Sequence, residues 1–126
     1  MIDNLDPRQA WQFLQDNPNA VLIDVRTQGE YTDIGHPVDA ILIPWLEQFG
    51  APINPNFITE VQKQVPDTNT PILLLCRSGQ RSLAAAQVLE QVGYTQLINV
   101  LEGYEGIPDA NQQRGNINGW KFHGLP

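Results

Sequence analysis

Ile72-Leu73-Leu74-Leu75-Cys76-Arg77-Ser78-Gly79-Gln80-Arg81-Ser82, followed by an alanine-rich run, decides how this chain is read. The first four residues are apolar without alternation, which suits a central strand of a parallel sheet covered on both faces. From about Arg81 to Val92 the spacing of Ala85, Val88, Leu89 and Val92 predicts a helix, closed by Gly93 in the left-handed conformation. The loop between strand and helix holds the only cysteine. A strand that ends in Cys and enters a helix through a Gly-containing loop aims backbone N–H groups and the positive helix end at the sulfur, favouring thiolate over thiol. Arg77 and Arg81 add two positive charges, and no acidic residue lies among the loop residues.

Outward from that loop, strands alternate with helices. Asp6-Pro7 is an N-cap followed by proline at the first helical position, and Ala10, Trp11, Phe13 and Leu14 mark one face of a helix that stops before Pro18. Ala20 to Ile23 predicts a strand leading to Asp24-Val25-Arg26, and Thr27 to Tyr31 a turn or short helix. Ala40 to Ile43 is a second strand, ended by Pro44. Residues 50–56 form a loop, and Asn54-Pro55 caps a helix carrying Phe57, Ile58, Val61 and Val65 up to Pro66. Leu97 to Leu101 is the last strand. The pattern predicts an α/β fold whose site gathers at the carboxyl ends of the strands, where Cys76 lies.

The chain has 126 residues, expected as one domain over 1–126, with 14 Asp plus Glu against 7 Lys plus Arg and a net charge of −7. An acidic surface argues against nucleic acid and anionic membrane as partners, while a small anion held by close dipoles and guanidinium groups remains compatible. The longest apolar stretches run about five residues, far below the ~20 that span a bilayer. No signal or transit pattern is seen at the N-terminus. One cysteine excludes an internal disulfide and is easiest to keep free in a reducing compartment, so a cytoplasmic location and a monomer are expected. His36, His123 and Cys76 lack metal-ligand spacing, so neither metal nor cofactor is expected.

Several motifs, in order, resemble the rhodanese (thiosulfate sulfurtransferase-like) domain family, over about Leu5 to Pro126. They are Ile23-Asp24-Val25-Arg26 with Glu30-Tyr31; Gly35-His36 with Ala40 and Ile43-Pro44; the seven residues from Cys76 to Ser82; Leu101-Glu102-Gly103; and Gly119-Trp120-Lys121 through Gly124-Leu125-Pro126. Two departures stand out: Asp39 occupies a position where the second signature usually has glycine, and Gly103-Tyr104 replaces a paired glycine. The resemblance implies a rhodanese-like fold, a central parallel sheet of about five strands flanked by helices on both faces. It further implies that Cys76 attacks the outer sulfur of thiosulfate or a similar small anionic donor, and that the resulting persulfide passes sulfur to cyanide or a thiol, including a protein thiol.

The loop suits that work: N–H groups from Arg77, Ser78, Gly79, Gln80, Arg81 and Ser82 can cradle a persulfide or sulfonate oxygens, and the arginines can stabilise the departing anion. A lone cysteine is more often an inert small hydrophobe, but one followed by two arginines and a glycine is leaving the core. Cysteine phosphatases and arsenate reductases use Cys-x5-Arg, whereas here the arginine comes one position early, at Arg81, which misplaces the clamp for a tetrahedral phosphate. A persulfide carrier or binding module acting with protein partners is the other alternative. Asp24, Arg26 and Glu30 are expected to form a fixed ion-pair network supporting the loops, and His36 a turn. Trp11, Trp45 and Trp120 are read as core or cover residues, with Trp45 placed to reach the pocket. Residues 104–118 lack any period, and fold either over the cysteine loop as a lid or, through Ile107, Ile117 and Trp120, against the opposite side.

Overall fold

The computed structural model describes residues 1–126. In chain order it contains β1 (Ile2–Leu5), α1 (Pro7–Asp16), β2 (Val21–Asp24), a π-helical turn (Glu30–Ile34), β3 (Ile41–Leu42), α2 (Phe57–Gln64), β4 (Ile72–Leu75), α3 (Gln80–Gln91) and β5 (Leu97–Val100). The strands form one five-stranded sheet in the order β1-β5-β4-β2-β3, parallel throughout. No helix is long and apolar enough to cross a membrane.

β4 is the central strand, as its unbroken apolar run predicts. Ile72, Leu73, Leu74 and Leu75 are all fully buried, each contributing about 1.5–3 kcal/mol of burial free energy. Alternate residues serve two cores. Ile72, Leu74 and Cys76 join Phe57 and Val61 of α2 and Ala85, Ala86 and Leu89 of α3, while Leu73 and Leu75 face Ala10 of α1 and Trp120. The chain moves one way across the sheet from β1 to β2, and the other way from β3 to β4 and β4 to β5. With a constant right-handed crossover, the first helix must lie on one face and the other two on the opposite face, as found.

Local chemistry explains most boundaries. The Asp6 carboxylate accepts from the Gln9 N–H at 2.9 Å, and Gln9 Oε1 accepts from the Asp6 N–H at 3.0 Å, so α1 begins in a capping box ahead of Pro7. α3 starts one residue earlier than expected and ends at Gln91, with Gly93 at φ +104°. Asn54, expected from the sequence to cap α2, does not do so. Its Nδ2 donates to Pro44 O (3.0 Å) and Glu60 Oε2 (2.9 Å), tying the loop to the end of β3, and α2 starts after Asn56. β3 is a two-residue edge strand, and Pro44 after it is tolerated because its nitrogen faces the open edge of the sheet. Ile43 and Trp45 still donate to Asp24 O and Val25 O beyond it. β1 is the strand that sequence reading does not name. It is an edge strand with exposed Asp3 and Asn4, paired only with β5.

Candidate active site

β2 and β4 are neighbours whose following connections run in opposite directions across the sheet, so a crevice opens at their carboxyl ends. Cys76 sits there, directly after β4, its side chain buried among the residues under α2 and α3. The Gly79 N–H donates to Cys76 Sγ at 3.0 Å, and Ser82 Oγ lies 3.2 Å from the same sulfur. Gly79 has φ +113°, a left-handed conformation that turns the chain from the loop into α3 and that side chains adopt only with strain. Behind it, Ser82 Oγ donates to Asn99 Oδ1 at 2.6 Å, and Asn99 Nδ2 donates to Gly79 O at 3.3 Å, so β5 holds the loop through a buried amide. At the start of α3 the Gly79 N–H is therefore the donor aimed at the sulfur, the Ser82 hydroxyl hydrogen being held by Asn99.

The two arginines are not equivalent. Arg81 Nη1 and Nη2 donate to Glu30 Oε1 and Oε2 at 2.8 and 2.9 Å, a bidentate pair reaching across 51 positions. Glu30 Oε1 also accepts from the Thr27 N–H at 3.0 Å. Burial pushes the Glu30 carboxyl up, but the Arg81 and Thr27 bonds and the Arg81 charge outweigh it and hold it below the usual carboxylate range. Burial likewise pulls Arg81 down, and Glu30, with smaller contributions from Cys76 and Asp24, holds it above its ordinary value. Arg77 makes no ion pair, and its Nε is buried without a hydrogen-bond partner. One of the loop's two positive charges is therefore already spent, and Arg77 carries the other.

Asp24 and Arg26 form a second, fully buried pair. Arg26 Nε and Nη2 donate to Asp24 at 2.9 and 2.7 Å, Nη2 also donates to Gly35 O at 2.7 Å, and the guanidinium lies 4.5 Å from the Tyr104 ring centroid. The expected ion-pair network of Asp24, Arg26 and Glu30 thus divides in two, one pair fixing the turn after β2 and the other gripping α3.

A cavity of about 260 Å³ opens above the sulfur, lined by Leu46, Phe49, Cys76, Arg77, Ser78, Gln80 and Arg81. At this size, below the ~300–1,000 Å³ of drug-sized ligand pockets, it suits a small anion. A larger cavity of about 400 Å³ lies between α1 and the starts of β2 and β3, lined by residues such as Trp11, Leu14, Val21 and Ile41. It has no nucleophile and no cation, so the chemistry assigns the site to the smaller one.

Leu46 and Phe49 come from the loop after β3 and were not singled out by the sequence, since nothing in an isolated Phe beside a Gly marks it as a pocket wall. Trp45 does not reach the cavity. It is buried edge-on against Phe57, with ring centroids 5.1 Å apart. Residues 104–118 are likewise absent from the lining. The segment instead braces the loop from below: the Tyr104 N–H donates to Cys76 O (2.8 Å), and the Glu105 and Gly106 N–H groups donate to Arg77 O (3.0 and 3.1 Å). Of the apolar residues proposed to pack it, Trp120 is fully buried, while Ile107 and Ile117 are exposed.

Residues 6–110 match the family profile of the rhodanese-like domain. The chain belongs to the rhodanese-like domain family. The crystal structure of Rv0390 from M. tuberculosis superposes with a TM-score of 0.88 at 39% identity, covering 98% of this chain and 95% of that one. An uncharacterized protein of Rickettsia conorii is 34% identical over 99% of this chain and 96% of its own length. A protein of Allochromatium vinosum named sulfurtransferase is 29% identical over 100% and 94%. Sulfurtransferases are thus among the chain's homologues, at modest identity.

Both departures from the rhodanese pattern have a structural account. Asp39 stands at φ +62°, keeping the left-handed turn that glycine usually makes, one of the few residue types that does so at low cost. Tyr104 replaces the second glycine with a ring placed on the buried Arg26.

Proposed function

We propose that the protein is a sulfurtransferase that moves a sulfane sulfur from thiosulfate, or a similar small anionic donor, to cyanide or a thiol through a persulfide on Cys76. The observation that carries this reading is the sulfur at the floor of a small cavity that holds one unpaired guanidinium, Arg77, and an N–H donor from Gly79 at 3.0 Å. The Cys76 thiolate attacks the outer sulfur of thiosulfate. A bond forms between Sγ and that sulfur, the donor's S–S bond breaks, and its electron pair leaves with sulfite. The persulfide's outer sulfur is then attacked by cyanide or a thiolate, returning the electron pair to Sγ and releasing thiocyanate or a new persulfide.

The residues serve this sequence in distinct ways. Gly79 N–H and the start of α3 stabilise negative charge at Sγ, and Arg77 binds the donor's oxygens, where a charge-assisted contact contributes most. Arg81 keeps the loop attached to the turn after β2. A phosphatase would need that arginine free to clamp a phosphate, and Glu30 occupies both of its terminal nitrogens. The named sulfurtransferase among the homologues supports the same reaction class.

Cys76→Ser tests the reading. Serine fits the site, so the melting temperature stays near wild type, while thiosulfate:cyanide turnover falls by more than about a hundredfold, because a hydroxyl is a poor nucleophile without an activating base. A variant that retained a tenth of the wild-type rate would overturn the proposal.

A further inference from the structure

Phe49 lines the mouth of the Cys76 cavity. It sits in the loop between β3 and α2, whose ends are pinned by the Leu46–Ile53 bridge and by the Asn54 N–H to Trp45 O bond of 2.8 Å. The residue is 55% exposed, its ring bordering that mouth. The guanidinium carbons of Arg77 and Arg81 each lie 5.0 Å from its centroid. Arg81 has Glu30 to fix it, but Arg77 has no carboxylate, and its guanidinium lies over the ring instead. The two anchors differ in consequence. A carboxylate would take up the Arg77 N–H donors and cancel its charge, as Glu30 does for Arg81. An aromatic ring attracts a cation by its quadrupole and offers no acceptor atom, so the N–H groups stay available.

We propose that Phe49 is a positioning residue for the anionic donor: its ring holds the Arg77 guanidinium at the mouth of the Cys76 cavity with the hydrogen-bond donors unspent. A guanidinium already held in place loses less side-chain entropy when an oxyanion binds, so the ring acts on donor affinity and not on the sulfur's reactivity. This deepens the sulfur-transfer reading of the same site and rests on it.

The test is a set of full-length variants, Phe49→Leu, Phe49→Tyr, Arg77→Ala and Phe49→Leu combined with Arg77→Ala, assayed with thiosulfate and cyanide. Phe49→Leu should raise the thiosulfate KM roughly three- to tenfold with kcat changed less than about twofold. Phe49→Tyr should restore the wild-type KM, because the ring face and not its bulk is what matters. In the Arg77→Ala background, Phe49→Leu should add nothing. An unchanged KM in Phe49→Leu, a loss that tyrosine does not rescue, or a full additional loss without Arg77 would each overturn the proposal. Thiosulfate binding to the unreactive Cys76→Ser protein, measured by calorimetry with and without Phe49→Leu, separates the two claims. A wild-type protein that fails to turn over while this affinity still depends on Phe49 through Arg77 sinks the sulfur-transfer reading alone, and absence of any thiosulfate binding sinks this one.

Discussion

Glu30 decides which arginine of the loop is free. It is nearly buried and holds Arg81 with two bonds under 3 Å, so removing its charge strands a guanidinium that is itself only partly solvated. Glu30→Gln should lower stability by about 1–3 kcal/mol at neutral pH. The sign of the pH dependence follows from the lowered carboxyl. The pair's contribution is fully present above the glutamate's ordinary titration range and disappears as pH falls through its depressed one. Melting curves of wild type and Glu30→Gln should therefore differ most near neutrality and converge in acid, and a gap that widened on acidification would refute the assignment. At this scale the candidate nucleophile was legible, since Cys76 stands alone between an apolar strand and a helix. The sequence concealed the neutralisation of Arg81, because the carboxylate that meets it lies 51 positions away and nothing local pairs them. Phe49 was hidden for the same reason: its partners are close only after the sheet forms.

The loop from Cys76 to Gly79 has little internal bonding and takes its shape from the turn after β5. Gly103, at φ +65°, lets that turn approach so closely that an added Cβ would fall 2.5 Å from both Cys76 O and Arg77 O, both rigid backbone atoms. Gly103→Ala should cost about 1–3 kcal/mol in strain alone. Because the displaced backbone carries Cys76, the proposed sulfur transfer should suffer more than stability does. Comparing urea midpoints with thiosulfate:cyanide rates checks this, and an alanine variant of normal activity would mean that the loop does not depend on the turn. Elements marked by an unbroken apolar run or a helical period were legible, β4 and α1 above all. β1 was not, because an edge strand with Asp3 and Asn4 facing water has no apolar run to announce it. The bracing role of residues 104–106 was also out of reach, being made of backbone N–H groups that every sequence has.

Across the whole molecule, a doubly covered parallel sheet places the Cys76 loop where β2 and β4 part company, and each neighbouring connection reaches that point from a different side. The loop after β3 forms the outer wall with Leu46 and Phe49, the π-helical turn after β2 supplies Glu30, and the turn after β5 supports the loop from below. The cavity over the sulfur is thus walled by the loop after β3, and no residue of the long segment near the C-terminus lines it. Replacing residues 108–116 with a short Gly-containing turn should leave the ratio of rates with a bulky thiol and with cyanide unchanged. A rise in that ratio would restore a lid role for the segment. The central claim, that Cys76 carries the sulfur, is tested most directly by intact-mass measurement after incubation with thiosulfate. The account predicts a gain of one sulfur atom on the wild-type chain, removed by a reductant and absent in Cys76→Ser; an unchanged wild-type mass, or the same gain in the serine variant, would contradict it.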